Sequence, residues 1–205
     1  KAKVRAVVGV PAEAFRVNRQ NLRNTMEGIA DSVMLASEPF AVAYGLEALL
    51  HALVIDIGAG TADFCVMQGR YPGEEDQKTL PNAGDSIDDQ LAKLLREKFP
   101  EAQFSIHMIR EWKEKSSFVG EPKSRVMVSV PVKGKATEID ITNEMRMACE
   151  SIVPPVCETM TTLLTKVDPE FQSKVRNNII LAGGSSLISG LPEAFAKALE
   201  DITNC

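Results

Sequence analysis

Two short runs restrict the fold and the chemistry of this chain more than anything else in it. The first is Val54-Ile55-Asp56-Ile57-Gly58-Ala59-Gly60-Thr61-Ala62-Asp63-Phe64, an apolar stretch that closes on an acid, followed by two glycines and a hydroxyl. The second is Ile179-Ile180-Leu181-Ala182-Gly183-Gly184-Ser185-Ser186-Leu187-Ile188-Ser189-Gly190-Leu191, another apolar stretch that runs into a glycine pair and then a helix. Both read as buried strands that end in a tight corner. Glycines let backbone N–H groups approach an anion or a flat ring with no side chain in the way. Thr61 and Ser185 add hydroxyl donors, and Asp56 suits a hydrated Mg²⁺, which takes a carboxylate, waters and phosphate oxygens. Taken singly, each run has a plainer reading: a hairpin turn with a chance acid, and an ordinary strand-to-helix turn.

Apolar periodicity places the surrounding elements. Strands are expected over residues 4–10, 33–35, 52–57, 63–68, 77–81 and 178–182, with a hairpin over 125–132 and 136–141 that turns at Gly134. Helices are expected over 12–29, with Phe15, Leu22, Met26 and Ile29 on one face, and from Glu38-Pro39-Phe40 to about residue 50. Further helices are expected over 84–98 on Ile87, Leu91, Leu94 and Leu95, over 104–112, from a Thr142 cap to 166, and over 191–202. Pro154-Pro155 should kink or divide the 142–166 helix. Strands mixed with helices and hairpins imply an α/β fold, a mixed sheet covered by helices. Residues 69–76 and 116–124 read as mobile surface stretches.

Composition removes several function classes. The net charge is −5, so no basic field exists to draw in phosphates over a broad surface, and a nucleic-acid partner is not expected. The chain has four cysteines without a CxxC pair and two histidines, which argues against zinc. Cys65 and Cys149 fall in apolar patterns and read as buried thiols of a reduced, cytoplasmic protein. No apolar run reaches the ~18 residues that span a bilayer, so membrane insertion is not expected. The stretch over 48–57 is broken by His51 and Asp56. Lys1-Ala-Lys-Val-Arg leads straight into a strand pattern without a leader, and an opening lysine is read as the start of a segment of something longer.

In this order and separation the two glycine runs resemble the second phosphate loop and the adenosine loop of the actin, Hsp70 and sugar-kinase superfamily. Asn82-Ala83-Gly84-Asp85-Ser86-Ile87-Asp88 resembles the Gly-Gly-Asp stretch between them, and Ser37-Glu38-Pro39-Phe40-Ala41-Val42-Ala43-Tyr44-Gly45 the connecting helix of the prokaryotic members. Pro72-Gly73-Glu74-Glu75-Asp76-Gln77 and Ser117-Phe118-Val119-Gly120, with the run Val8-Gly9-Val10-Pro11-Ala12, favour the magnetosome-chain branch of bacterial actin-like ATPases over the MreB branch.

The resemblance implies an actin-like (ribonuclease H-like) fold, mainly its second lobe. Residues 1–50 would be a remnant of the first lobe plus the connecting helix, and residues 51–205 the nucleotide-binding lobe, with a smaller subdomain near 85–140. It implies ATP or ADP with Mg²⁺ as cofactors. Glu38 matches the acid that positions the attacking water, and Asp56 the acid near Mg²⁺. Gly58, Ala59, Gly60 and Thr61 match the phosphate turn, and Gly84, Lys113, Gly183, Gly184 and Ser185 the adenosine contacts. Implied partners are further copies of the chain, or a full-length actin-like homologue, in head-to-tail filaments, together with magnetosome adaptor proteins.

Departures and alternatives accompany the resemblance. No Asp-x-Gly-Thr hairpin precedes Val4, so the first phosphate loop is expected to be missing, with weak ATP binding and very slow hydrolysis as the result. A truncated, non-hydrolysing relative that binds actin-like filaments is the alternative function. A sugar kinase would need a sugar-binding acid and an acceptor pocket, which the sequence does not offer. Relatives often carry Glu-x-x-Lys under the base. Here Lys113 is preceded by Arg110 at that spacing, with Glu111 or Glu114 in reach to compensate. The plainer reading of residues 110–115 is a solvated charged face around Trp112, and that of Glu38 is a helix-start carboxylate facing a favourable dipole.

Overall fold

The computed structural model describes residues 3–14 and 16–203. Phe15, Lys1 and Cys205, which figure in the sequence reading, lie outside them. The chain divides into two compact units, one of Lys1–Ile57, Thr61–Leu80 and Met160–Ala182, the other of Gly58–Gly60, Pro81–Thr159 and Gly183–Cys205.

The first unit opens with β1 (Arg5–Val10), α1 (Arg16–Met26) and β2 (Ser32–Ser37), the two strands pairing in parallel with Gly9 opposite Ala36 and Val10 opposite Ser37. The helix expected from residue 12 starts four residues later. The backbone N–H of Ala12 donates to Asp63 Oδ1 at 2.6 Å and that of Glu13 to Thr79 Oγ1 at 3.0 Å, which commits this stretch to a turn. Ile29, expected on the helix face, lies beyond the helix end and is 63% exposed.

β2 runs without a break into α2 (Glu38–Gly45), where Pro39 takes the first turn. The helix stops before residue 50 because Glu47 turns to φ 56°. The central strand β3 (Leu50–Ile57) starts two residues ahead of expectation, through a bulge at which His51 adopts φ 52°. It pairs antiparallel with β4 (Ala62–Gln68), which pairs antiparallel with β5 (Gln77–Leu80).

The second unit is built on α3 (Gly84–Lys98), whose bounds match the apolar period. Ile87, Leu91 and Leu95, one turn apart, are fully buried, and the helix packs on α4 (Ile106–Ser116) and α5 (Thr142–Glu150). α4 begins two residues beyond the expected position, where Ser105 Oγ caps it by accepting from the Met108 amide. β6 (Met127–Val132) and β7 (Lys135–Asp140) form the hairpin, turning on Lys133 and Gly134, both at positive φ.

Thr142 begins α5 as its first residue and is not its cap. Its hydroxyl donates to Asp140 Oδ1 and accepts from the Val126 amide. The expected long helix is divided at residues 151–152, and Pro154-Pro155 sit in the first turn of α6 (Val153–Leu164), where missing N–H groups are tolerated.

The chain then returns to the first unit. α7 (Pro169–Arg176), which the sequence reading did not anticipate, opens on an Asp-Pro start. β8 (Ile179–Ala182) adds in parallel to β3 and completes the mixed sheet in the order β5-β4-β3-β8. Its core gathers Ala43, Ala52, Val54, Cys65 and Met67, with Phe40 and Ile180 packed against it. Burial pushes the Cys65 thiol up to about 12, which leaves it chemically quiet. α8 (Leu191–Thr203) belongs to the second unit.

Candidate functional site

Three carboxylates mark the first unit. Glu38 opens α2, Asp56 is the penultimate residue of β3, and Asp63 lies opposite Asp56 on β4. Burial raises the pKa of Glu38, and the charges of Asp63 and then Asp56 raise it further. Asp56 is raised by burial first and by Asp63 second. Neighbouring negative charges resist full ionisation, so a cation among them would be welcome.

Among the described residues no group of three or more His, Cys, Asp and Glu side chains is placed to hold a metal ion. Mg²⁺ does not need such a group: it is commonly held by one or two carboxylates, with waters and substrate phosphates filling the shell. A single carboxylate such as that of Asp56 at the end of β3 is compatible with that pattern. Glu38 is closely backed by β1: a Cβ added at Gly9 would lie 3.3 Å from Glu38 Cγ, a close contact that the glutamate would have to ease by a few tenths of an ångström.

The two glycine corners follow the parallel pair β3 and β8, whose ends are level, with Asp56 opposite Ala182. In the second unit the corners meet. The Gly58 carbonyl accepts from Ser185 Oγ at 3.1 Å and from the Gly84 amide at 3.1 Å. The Ala59 carbonyl accepts from the Asp85 amide at 2.7 Å, which docks the first corner on the start of α3. Lys113 Nζ donates to the Gly84 carbonyl at 2.8 Å and pairs with Asp88 at 2.7 Å. Three segments, near residues 58, 84 and 185, and the α4 lysine are thereby locked together.

They enclose a cavity of about 380 Å³ lined by Gly58, Ala59, Gly84, Lys113, Gly184 and Ser185, six of the residues singled out from sequence. That volume is at the small end of the ~300–1,000 Å³ range of small-molecule sites. Gly60 and Gly184 have ordinary φ, and a Cβ at either would meet nothing within 4 Å. Neither local strain nor packing demands glycine there; its absence of a side chain leaves backbone open to a ligand. Gly183 does need glycine locally, at φ 80°. Thr61 is half-buried and belongs, with Asp56 and Glu38, to the first unit.

The same cavity has further walls, Glu114, Ser117, Ile188 and Leu187, which stand in or beside the quoted runs without having been assigned a contact there; Leu187 is 85% exposed. Arg110 is exposed, in line with a solvated charged face around the partly buried Trp112. It reaches back to α3 and pairs with Asp85 at 3.0 Å and Asp88 at 3.2 Å.

The sequence matches the family described as MreB/Mbl protein over residues 1–203. The chain belongs to the MreB/Mbl family. Within it, the chain is 40% identical over 186 residues to the actin-like protein MamK of Paramagnetospirillum magneticum, an alignment that covers 91% of this chain and 54% of MamK. The chain therefore spans about half the length of that relative.

Among solved structures, the MamK double helical filament superposes with a TM-score of 0.95 at 38% identity, covering 98% of this chain and 62% of the filament chain. A non-polymerising MamK mutant bound to AMPPNP superposes with a TM-score of 0.83, also at 38% identity, covering 96% and 61%. The fold is thus the actin-like one, a mixed sheet flanked by helices, as the resemblance implied. The alignments with MamK also agree with the branch-specific runs noted in the sequence.

Proposed function

We propose that this chain is the nucleotide-binding part of an actin-like filament protein that organises magnetosomes, and that it takes ATP or ADP with Mg²⁺. The carrying observation is the shared Gly58 carbonyl, which brings the phosphate-type corner, the start of α3 and the adenosine-type corner to one cavity. Gly84, Lys113, Gly183, Gly184 and Ser185 contact the adenosine. Gly58, Ala59, Gly60 and Thr61 offer backbone and hydroxyl donors to phosphate oxygens. Asp56 holds the hydrated metal ion, which supplies positive charge against the phosphates, and Glu38 orients the attacking water. Phosphoryl transfer to water calls on placement and charge stabilisation more than on a covalent catalyst. Residues 1–50 correspond to part of the first lobe and its connecting helix, and residues 51–205 to the second lobe with its smaller subdomain near 85–140.

The relatives support assembly as well. MamK forms a double helical filament, and head-to-tail assembly of this chain with itself or with a longer homologue follows from the likeness. Adaptor proteins of the magnetosome and a place in the cytoplasmic cytoskeleton belong to the same reading. Among the described residues no helix is long and apolar enough to cross a membrane.

Titration of the 205-residue chain with a fluorescent ATP analogue in Mg²⁺, followed by sedimentation with and without ATP, tests the proposal. Saturable binding weaker than that of a full-length homologue, slow hydrolysis, and pelleting alone or with homologue filaments are expected. Absence of both binding and pelleting would overturn it. Pelleting with homologue filaments in the absence of any nucleotide binding would favour the non-hydrolysing interaction protein instead.

A further inference from the structure

Asp63 has no role in the reading above, yet it is the most deeply buried of the three acids, 1% exposed and opposite Asp56 across the sheet. A third negative charge beside two others is unfavourable unless something compensates it. Its hydrogen bonds do so. Asp63 Oδ1 accepts from the Ala12 amide at 2.6 Å and from the Thr79 hydroxyl at 2.6 Å. The same hydroxyl accepts from the Glu13 amide at 3.0 Å. One carboxylate thus holds two successive amides of the turn after β1, one directly and one through a hydroxyl. Glu13 closes the knot from its own side, its carboxylate accepting from the Thr79 amide at 2.8 Å and from Lys78 Nζ at 3.1 Å.

The held turn leads to Glu38 by two short routes. Gly9, three residues earlier, lies flush against the glutamate, within 3.3 Å of Cγ for an added Cβ. Val10 pairs with Ser37, the residue immediately before Glu38. We infer that Asp63 is a positioning residue for Glu38: by fastening the turn at residues 11–13 it fixes the end of β1, and β1 holds the glutamate in place. The inference rests on the proposed role of Glu38 in ATP hydrolysis. A carboxylate suits the task because the Ala12 amide is buried and would otherwise be an orphaned donor, and because charge-assisted bonds are shorter and stronger than neutral ones. The charge of Asp63 is also close enough to help raise the pKa of Glu38.

The test compares the unmodified chain with Asp63→Ala, Asp63→Asn and Thr79→Val. Three quantities are read: amide hydrogen exchange over residues 9–14, Kd for a fluorescent ATP analogue in Mg²⁺, and single-turnover hydrolysis. Asp63→Ala is expected to speed exchange at Ala12 and Glu13 about tenfold or more. It should slow hydrolysis by on the order of a hundredfold, the usual penalty for a misplaced group. Its Kd should move by less than about twofold, because the loss is confined to the step that uses Glu38. Thr79→Val should show the same pattern more weakly. Asp63→Asn, which keeps an acceptor oxygen in place, should recover the exchange protection and most of the rate.

Unchanged exchange in Asp63→Ala, equal loss of rate in Asp63→Asn and Asp63→Ala, or a Kd that weakens in step with the rate would each overturn the positioning role. Should Asp63→Ala fail to fold, Thr79→Val and Asp63→Asn carry the comparison. If the unmodified chain neither binds nor hydrolyses ATP, the ATPase reading falls and this inference with it. If the unmodified chain does both and the variants misbehave as described, only the positioning role falls.

Discussion

The hydroxyl of Ser185 donates to the carbonyl of Gly58 at 3.1 Å, joining two glycine corners that are 127 residues apart in the chain. The carbonyl has a second donor, the Gly84 amide, so the bond is a cross-brace and not the sole support of the corner. Ser185→Ala should therefore cost only about 1 kcal/mol of stability, the net worth of one hydrogen bond whose acceptor keeps another partner. Its larger effect should fall on the cavity. If Ser185 helps hold both corners against one ligand, Kd for an ATP analogue should rise about fivefold to tenfold, as expected for roughly 1–1.4 kcal/mol of binding energy. Equal affinity in the two proteins would separate the bond from ligand binding.

Gly84 is the tightest point of the same assembly. A Cβ there would lie 3.0 Å from Ser185 Oγ, 3.2 Å from the Gly58 carbonyl and 3.3 Å from Lys113 Nζ. Two of these neighbours are side chains that can give way, but both line the cavity. Gly84→Ala should thus lower stability by about 1–2 kcal/mol, an ordinary overpacking penalty, and raise Kd about tenfold or more. Gly60→Ala provides the contrast. Its Cβ enters open space, so the melting temperature should hold while affinity for the triphosphate falls. Thermal melts and nucleotide titrations of both variants decide the matter; a Gly60→Ala protein with unchanged affinity would remove that glycine from the phosphate turn.

Asp88 ties α3 to α4. It is 1% exposed and pairs with Lys113 at 2.7 Å and with Arg110 at 3.2 Å. Lys113 is itself largely buried, while Arg110 is half-exposed and has Asp85 as a second partner. Removing the shared anion strands the lysine more than the arginine. Asp88→Asn is expected to destabilise the fold by about 3 kcal/mol, the lower end for breaking a buried pair. Asp85→Asn, at the exposed rim, should change stability by less than about 1 kcal/mol. Urea unfolding of the two variants measures both, and equal losses would mean that the ion pairs share their load evenly.

Much of the assembly was legible in the sequence because its parts are chemically conspicuous. Glycine corners after apolar strands stand out at Gly58 and Gly183, and the 3.6-residue period of Ile87, Leu91 and Leu95 fixes α3 with its bounds. Elements set by distant contacts were not legible. The turn at residues 12–14 has a helical composition, and only Asp63 and Thr79, 51 and 66 residues away, take its amides out of a helix. Asp63 itself sits in Ala62-Asp63-Phe64-Cys65, where an acid among apolar residues gives no hint of its partners until the β4 register is known. Arg110 was equally opaque: its reach back to Asp85 and Asp88 depends on how α4 crosses α3. α7 was missed for a different reason, since Asp168-Pro169-Glu170 is a recognisable helix start that lay outside the motifs.

The acids predict a pH dependence whose sign can be fixed. Glu38 lies above its ordinary 4.5 and Asp56 above its ordinary 3.8, burial being the larger cause in each case. At both positions the folded chain therefore binds a proton more readily than the unfolded chain. Such a group favours the fold fully below its unfolded pKa and loses that contribution as pH rises through its folded value. The ionised acids thus weigh against the fold near neutrality, where they are of use to a cation. Glu38→Gln cannot ionise, so at pH 7 it should unfold at a higher urea concentration than the unmodified chain. The gap should narrow as pH falls and close below about pH 4, where the glutamate is protonated in both states. Mg²⁺ should narrow the gap at pH 7 from the other direction, by stabilising the unmodified chain more than the variant. Urea midpoints from pH 4 to pH 7, with and without Mg²⁺, check the sign. A gap that widens on acidification would mean that Glu38 has a stabilising partner in the fold rather than two repelling neighbours.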